Sequence, residues 1–330
     1  MRGETMNMQG YHKRTHLSPS SLATLGRCPR RFFLKNGLLL QTPGLKSALC
    51  FGEAIHRAMP HVQRGDIASA LGAFATIWKP ELEDRKRNIS RAEVILRTFM
   101  DTRKGSLYEI QAPPESNVED KISPDEVSFA IDLGLPIPIV GRIDAVGKHR
   151  DTGEFWGIEY KTTSELSSRF FEGFQLNPQV AIYALALNML SGEPYRGVIV
   201  EGLQVAITAC NILAFPVRVE EQTFSDTVNW VKDSWELIER CENSGVWPKN
   251  LCGCNPYASF GQPGYTCEFV QMCLSQDWES LVGLYEVGEA REFKVGADGE
   301  RPPLPHHGRD RPTGYSGGRT GRGQSRGGGP

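Results

Sequence analysis

No stretch of the chain approaches the ~18–20 consecutive apolar residues that a bilayer-spanning helix requires, and no apolar segment follows the N-terminal residues as it would in a secretory leader. These absences predict an intracellular, cytoplasmic protein with no membrane partner. Net charge is equally scarce: 37 Lys and Arg face 39 Asp and Glu, leaving −2. A uniformly basic surface for nucleic acid is thereby excluded. The near-cancellation conceals an asymmetry, because residues 1–40 carry +6 and residues 301–330 carry +5, which leaves −13 on residues 41–300. Any contact with nucleic acid must be a local basic groove, assisted by the two basic ends. Internal repeats are also lacking.

What is present is an ordinary globular composition, 330 residues of which 39% are hydrophobic and 23% charged, enough for one large domain or two small ones. Cysteine is not scarce. Without a secretion signal, eight cysteines do not predict a disulfide framework. Cys252, Cys254, Cys267 and Cys273 crowd into one short stretch, which suggests metal, whereas Cys50, Cys210 and Cys241 read as packing residues.

Along the chain, Ser18 and Pro19 read as the cap and first residue of a helix that carries Leu22 and Leu25. A short helix follows Pro29, and amphipathic helices are predicted over about 52–59, 62–78 and 82–103. From about residue 116 the period becomes strand-like. Strands are predicted over 127–131, 136–146 and 155–162, with a turn at 151–153. A helix over 178–191, strands over 196–206 and 210–219 and a helix over 222–242 complete the order, which implies an α/β sheet flanked by helices. Residues 1–16 and 291–330 are too polar or too rich in Arg and Gly to fold and are predicted to be disordered.

Glu159 and Lys161 lie two apart and so project from one face of their strand. A hairpin centred between Asp151 and Thr152 places Asp144 opposite Glu159. Two carboxylates that close repel unless a cation lies between them. Hard oxygen ligands at a half-open site suit Mg²⁺ or Mn²⁺, with Lys161 positioned to orient a nucleophile or stabilise a phosphoryl transition state. An exposed cross-strand charge cluster has the same signature, so the trio alone leaves both readings open.

The segments Gly141-Arg142-Ile143-Asp144 and Ile158-Glu159-Tyr160-Lys161 resemble the PD-(D/E)XK nucleases, specifically the RecB-like exonuclease branch that includes the CRISPR-associated adaptation nucleases. Gly52-x-x-x-His56, Gln179-x-x-x-Tyr183 and Cys28-Pro29-Arg30-Arg31-Phe32 resemble flanking motifs of that branch and occur in the same order. The resemblance implies a restriction-endonuclease-like mixed β-sheet core flanked by helices, spanning residues 17–290. It implies Asp144, Glu159, Lys161, Gln179 and Tyr183 as catalytic residues. His56, the main-chain carbonyl of Tyr160 and an acid before the Asp144 strand would add to the metal ligands. Glu119 is the candidate for that acid, with Glu115 and Glu126 competing.

The resemblance further implies a four-iron four-sulfur cluster joining the N- and C-terminal segments through Cys28, Cys254, Cys267 and Cys273, with Cys252 as alternate for Cys254. Twelve residues separate Cys254 from Cys267, where the family has only a few. A zinc site would use the same thiols. The implied activity is Mg²⁺- or Mn²⁺-dependent hydrolysis at DNA ends, single-stranded ends foremost, in recombination, repair or phage DNA metabolism. A structure-specific endonuclease and a DNA-binding or assembly subunit that leaves the site unused are the alternatives. The Arg/Gly-rich tail reads either as a loose single-strand binder or as a solubilising segment. Protein partners are not legible.

Overall fold

The computed structural model describes residues 8–115, 125–254, 267–275 and 277–290. Helix α1 (Pro19–Arg27) opens with the expected cap, Ser18 Oγ accepting from the Ser21 amide. Helix α2 (Pro29–Phe32) continues into a π-turn at Phe33–Gly37, and the short strand β1 (Leu40–Gln41) follows. A helical layer then forms from α3 (Ser47–Gln63), α4 (Ile67–Ile77) and α5 (Ile89–Arg103). Strands β2 (Tyr108–Gln111), β3 (Val127–Ile131), β4 (Ile139–Ile143), β5 (Ala145–His149) and β6 (Phe155–Thr163) come next. Helices α6 (Ser168–Glu172) and α7 (Pro178–Ser191) cross to β7 (Tyr195–Gln204), which turns into β8 (Ile212–Arg218). Helix α8 (Glu221–Ser244), the short α9 (Leu251–Cys254) and α10 (Val270–Leu274), and β9 (Glu286–Val287) end the described chain.

The central sheet has the order β2-β5-β6-β7-β8 and is mixed: β6 and β7 are parallel, the other neighbours antiparallel. A parallel pair needs a crossover, and α6 and α7 supply it. Both faces of the sheet are covered. On one face Ala145, Trp156, Ile158, Tyr160, Ile199 and Leu203 pack with residues of α3, α4 and α5. On the other, Ile143, Val146, Val198 and Val200 share a core with α1, α7 and α8. Burial on both sides explains why β6 and β7 read as nearly continuous apolar runs. This is the mixed sheet flanked by helices that a restriction-endonuclease-like fold requires.

Several boundaries differ from the sequence reading for local reasons. The helix expected over 62–78 is broken at Gly65, whose φ of +78° ends α3, and restarts where Asp66 caps Ser69. The helix expected from 82 starts only at Asn88, whose side chain accepts from the Arg91 amide. The single strand expected over 136–146 is two strands: β4 pairs with β3 in a separate ribbon, and β5 joins the central sheet. Asp144 stands at the bend between them. The hairpin register is as expected, with Ala145 opposite Ile158 and Val146 opposite Gly157.

Residues 8–16, expected to be disordered, pack instead. Tyr11 stacks on Phe33 at 5.8 Å between ring centroids, approaches Trp247 at 5.9 Å and donates to Glu242 at 2.6 Å. The Leu17 main chain bridges β4, its N–H donating to Pro138 O and its carbonyl accepting from Val140 N. The chain ends meet at this place. Arg30 Nε donates to Trp247 O at 2.9 Å, Arg31 pairs with Glu268 at 2.8 Å, and Leu40 of β1 lies opposite Val287 of β9. Residues 1–7, Glu119 and the tail 291–330 lie outside the described residues. No helix among the described residues is long and apolar enough to cross a membrane.

Candidate active site

Strand alternation puts Glu159 and Lys161 of β6 on the face toward α7, and Tyr160 on the face toward α3 and α5. Glu159 is 7% exposed, a depth at which a carboxylate needs partners. It has two: its Oε1 accepts from Lys161 Nζ and from Gln179 Nε2, the latter at 3.1 Å. Gln179 lies in the first turn of α7 because Asn177 caps that helix and Pro178 begins it. One turn later, Tyr183 OH accepts from the same amide at 2.8 Å.

Asp144 occupies the bend between β4 and β5, where the β6 ladder would otherwise lose a partner. Its Oδ2 accepts from the Tyr160 main-chain N–H at 2.7 Å, which sets the Tyr160 backbone beside the carboxylate. Its Oδ1 lies 3.1 Å from His56 Nδ1. His56 reaches it because α3 comes close to β6 one turn earlier: a Cβ at Gly52 would stand only 3.0 Å from Thr162 Oγ1. The glycine and the histidine, four apart, share the helix face that meets the strand. Asp144, Glu159, Lys161, His56, Tyr160, Gln179 and Tyr183 therefore belong to one constellation.

Their electrostatics follow from burial. Burial and the neighbouring Asp144 push the Glu159 carboxyl up to about 7, against the pull of Lys161. Burial also opposes ionisation of Asp144, but the charge and hydrogen bond of His56 and the Tyr160 amide outweigh it and hold its pKa below the ordinary value. For His56, burial disfavours the cation, and the Asp144 charge and hydrogen bond overcome it, raising the pKa. Lys161 shows the same contest, won by Glu159, and is raised.

A cleft of about 410 Å³ opens onto this constellation, lined by His56, Gln63, Glu126, Arg142, Asp144 and Thr162 among others. Two of these residues carry roles that sequence reasoning did not assign. Gln63 Nε2 donates to the Tyr160 hydroxyl; its position seven residues beyond His56, on the same helix face, was the available signal. Arg142 pairs with Glu126 at 3.4 Å, and its place inside the Gly141-to-Asp144 segment marked it. Of the acids weighed for the place before the Asp144 strand, Glu126 lines the cleft, whereas Glu115 is exposed on the surface.

The model of the PD-(D/E)XK nuclease superfamily matches residues 16–273, most of the chain. This chain is a PD-(D/E)XK nuclease. Membership makes it a hydrolase of phosphodiester bonds with DNA as its substrate class. Among solved structures, a "Putative exonuclease" from Eubacterium rectale is similar at 16% identity and a TM-score of 0.46, covering 79% of this chain and 96% of that one. The protein named SSO0001 is similar at 13% identity and a TM-score of 0.29, covering 71% and 85%. Likenesses this distant add nothing about activity, and the assignment rests on the family match. No curated protein matches the chain.

PD-(D/E)XK nucleases typically use Mg²⁺ or Mn²⁺. The donors present fit such an ion in their chemistry: two buried carboxylates, one with its pKa raised by burial and by the other's charge, with an imidazole beside them. Their oxygens are engaged with His56, Tyr160 N, Lys161 and Gln179, and among the described residues no three His, Cys, Asp or Glu converge as a ligand set.

The cysteines divide into two groups. Cys28, Cys254, Cys267 and Cys273 share one neighbourhood: the Cys254 carbonyl accepts from the Cys267 amide, Cys28 Sγ accepts from Asn250 N, and the Cys273 thiol feels both Cys28 and Cys254. Burial leads the rise of the Cys273 pKa to about 11 and of the Cys267 pKa above its ordinary value. Cys252 is exposed. The soft donor set suits a thiolate-bound group, but the sulfurs do not converge on one point. Cys241 lies in the core, and Cys50 and Cys210 pack against the α3–α5 layer.

Proposed function

We propose that the chain is a divalent-metal-dependent DNA nuclease of the RecB-like branch, acting on DNA ends and on single-stranded ends foremost, with residues 17–290 as its catalytic domain. The observation that carries this reading is the approach of Asp144, at the bend before β5, to Glu159 of β6, with Lys161 and Gln179 bound to the same Glu159 oxygen. Asp144 and Glu159, aided by His56 and the Tyr160 carbonyl, would hold Mg²⁺ or Mn²⁺. When bound, the ion supplies a Lewis acid that acidifies water and shields phosphate charge. Lys161 then stabilises charge on the phosphoryl oxygens, Gln179 orients Glu159, and Tyr183 fixes Gln179. The exonuclease branch is supported by the Gly52/His56 and Gln179/Tyr183 spacings, both of which meet the carboxylates.

The test uses end-labelled linear single strands and a closed single-stranded circle, with Mn²⁺. The linear strand is expected to be degraded and the circle to resist; cutting of the circle would make the enzyme an endonuclease. Asp144→Ala and Lys161→Ala are each expected to slow degradation at least ~10²-fold with unchanged circular dichroism. Undiminished degradation by both variants overturns the site. We take Cys28, Cys254, Cys267 and Cys273 as the thiolate set of an iron-sulfur cluster, supported by their shared neighbourhood. Anaerobically purified protein is expected to absorb broadly in the blue and to contain iron rather than zinc.

A further inference from the structure

A second cleft, of about 440 Å³, is lined by Val140, Gly141 and Arg142 of β4 and shares Arg142 with the His56 cleft. Its walls come from three places: residues 14–21, the π-turn residues Lys35 and Asn36, and Val140–Arg142 with Gln179 and Tyr183. The Leu17 bridge to β4 brings these walls together. Among its described lining residues are Arg14, Lys35 and Arg142 against one carboxylate, Glu289, with the hydroxyls of Ser18, Ser20 and Ser21 beside them. The His56 cleft carries three carboxylates, Glu53, Glu126 and Asp144, interleaved with Arg57, Arg142 and His56. Gln179 and Tyr183 line the second cleft, and the Gln179 amide reaches from it to Glu159.

Two features mark the basic cleft as built for an anion. Arg14 lies with its guanidinium over the Phe32 ring at 5.6 Å, yet its buried Nε and one terminal nitrogen have no hydrogen-bond acceptor among the described residues. A buried donor left unsatisfied is costly, and a turn of the side chain toward the cleft would let an anion supply the acceptor. Lys35 is held below its ordinary pKa by burial and by the cations Arg31, Lys46 and Arg27, with Glu268 opposing, so the field at the cleft mouth is positive. On a body whose middle 260 residues are acidic, three cations lining one cleft are a local concentration, with Arg142 paired to Glu126 and Glu242 near Arg14. The volume is in the range of a site for one small ligand (~300–1,000 Å³), which admits a short length of one strand and not the face of a duplex.

We propose that this cleft is a backbone subsite: Arg14 and Lys35 hold phosphates of the DNA strand that Arg142 passes to the Asp144–Glu159 centre. The subsite deepens the nuclease reading and rests on it for the identity of the anion. Cation contacts to phosphate position a strand without reading its sequence, and each contributes to the salt dependence of binding.

The probe is a short fluorescein-labelled oligothymidylate, titrated with the full chain in EDTA at several salt concentrations and followed by anisotropy. Lys35→Gln and Arg14→Gln are each expected to weaken binding several-fold and to lower the slope of log K against log salt by about 0.7. Lys104→Gln, which removes the same charge at an exposed site outside both clefts, is expected to bind as the parent does. Lys35 is on the surface, so its variant reports even if loss of Arg14 disturbs the packing on Phe32. Parental affinity and slope in both cleft variants overturn the proposal, as does failure of the parent chain to bind. Cleavage by the parent with Mn²⁺, measured in parallel, reports separately on the nuclease reading.

Discussion

Glu159 carries the central tension of the site. Its carboxyl is buried, faces Asp144, and is held up to about 7, above the ordinary value of 4.5. Between those two values the folded chain keeps a proton that the unfolded chain has released. The contribution to stability is therefore complete below the ordinary value and is lost as pH rises through the folded one. His56, also raised, adds loss in the same direction, while the lowered Asp144 contributes stability that fades only at more acid pH. In chain stripped of divalent metal, the Tm is expected to fall between about pH 5 and 8. Glu159→Gln, neutral throughout, is expected to flatten that fall, and the same slope in both proteins would show that the carboxyl is not strained by its setting. Divalent cation added above pH 7 should raise the Tm of the parent more than that of the variant.

At the scale of elements, the site depends on how closely α3 approaches β6. Gly52 is the contact, and Thr162 is what it meets. Gly52→Val is expected to cost about 1–3 kcal/mol by overpacking and to move His56 away from Asp144, lowering cleavage more than stability alone accounts for. Replacing Thr162 by Ala in a Gly52→Ala background removes the crowding atom and is expected to recover most of the activity that Gly52→Ala loses. Denaturant unfolding and cleavage rates measure the two effects independently.

The same scale shows what was legible in sequence. The Asp144–Glu159 apposition was readable because strand side chains have a period of two and the turn at 151–153 fixes the count. The break at Asp144 was not, since β4 leaves the sheet to pair with β3, a choice set by long-range partners. Asn88 and Gly65 moved helix ends because one cap or one left-handed residue outweighs a continuous apolar period. The basic cleft was invisible in the linear order because Arg14 and Lys35 reach β4 only through the Leu17 bridge.

At the scale of the whole molecule, the two ends of the chain are held together by more than any thiol. Trp247 is fully buried among Tyr11, Phe32 and Phe33, its carbonyl accepts from Arg30, and Arg31 pairs with Glu268. Trp247→Ala is expected to destabilise the fold by about 3–5 kcal/mol, and to expose residues 8–37 to limited proteolysis before the sheet opens. If cleavage sites in that segment stay protected in the variant, the aromatic cluster is not what joins the ends. Removal of iron or zinc by a chelator should expose the segment less than this substitution does.

Because Phe32 and Phe33 pack on Trp247, the N-terminal aromatics wait for a partner far along the chain. A ribosome adding ~5–20 residues per second delivers that partner roughly ten to forty seconds after the two phenylalanines. For that interval Phe32 and Phe33 lack their tryptophan lid, while α3, β5, β6 and α7 can already assemble around the carboxylates. The nascent chain thus has a formed catalytic half and an uncovered apolar flank, the state that chaperones bind and that aggregation exploits.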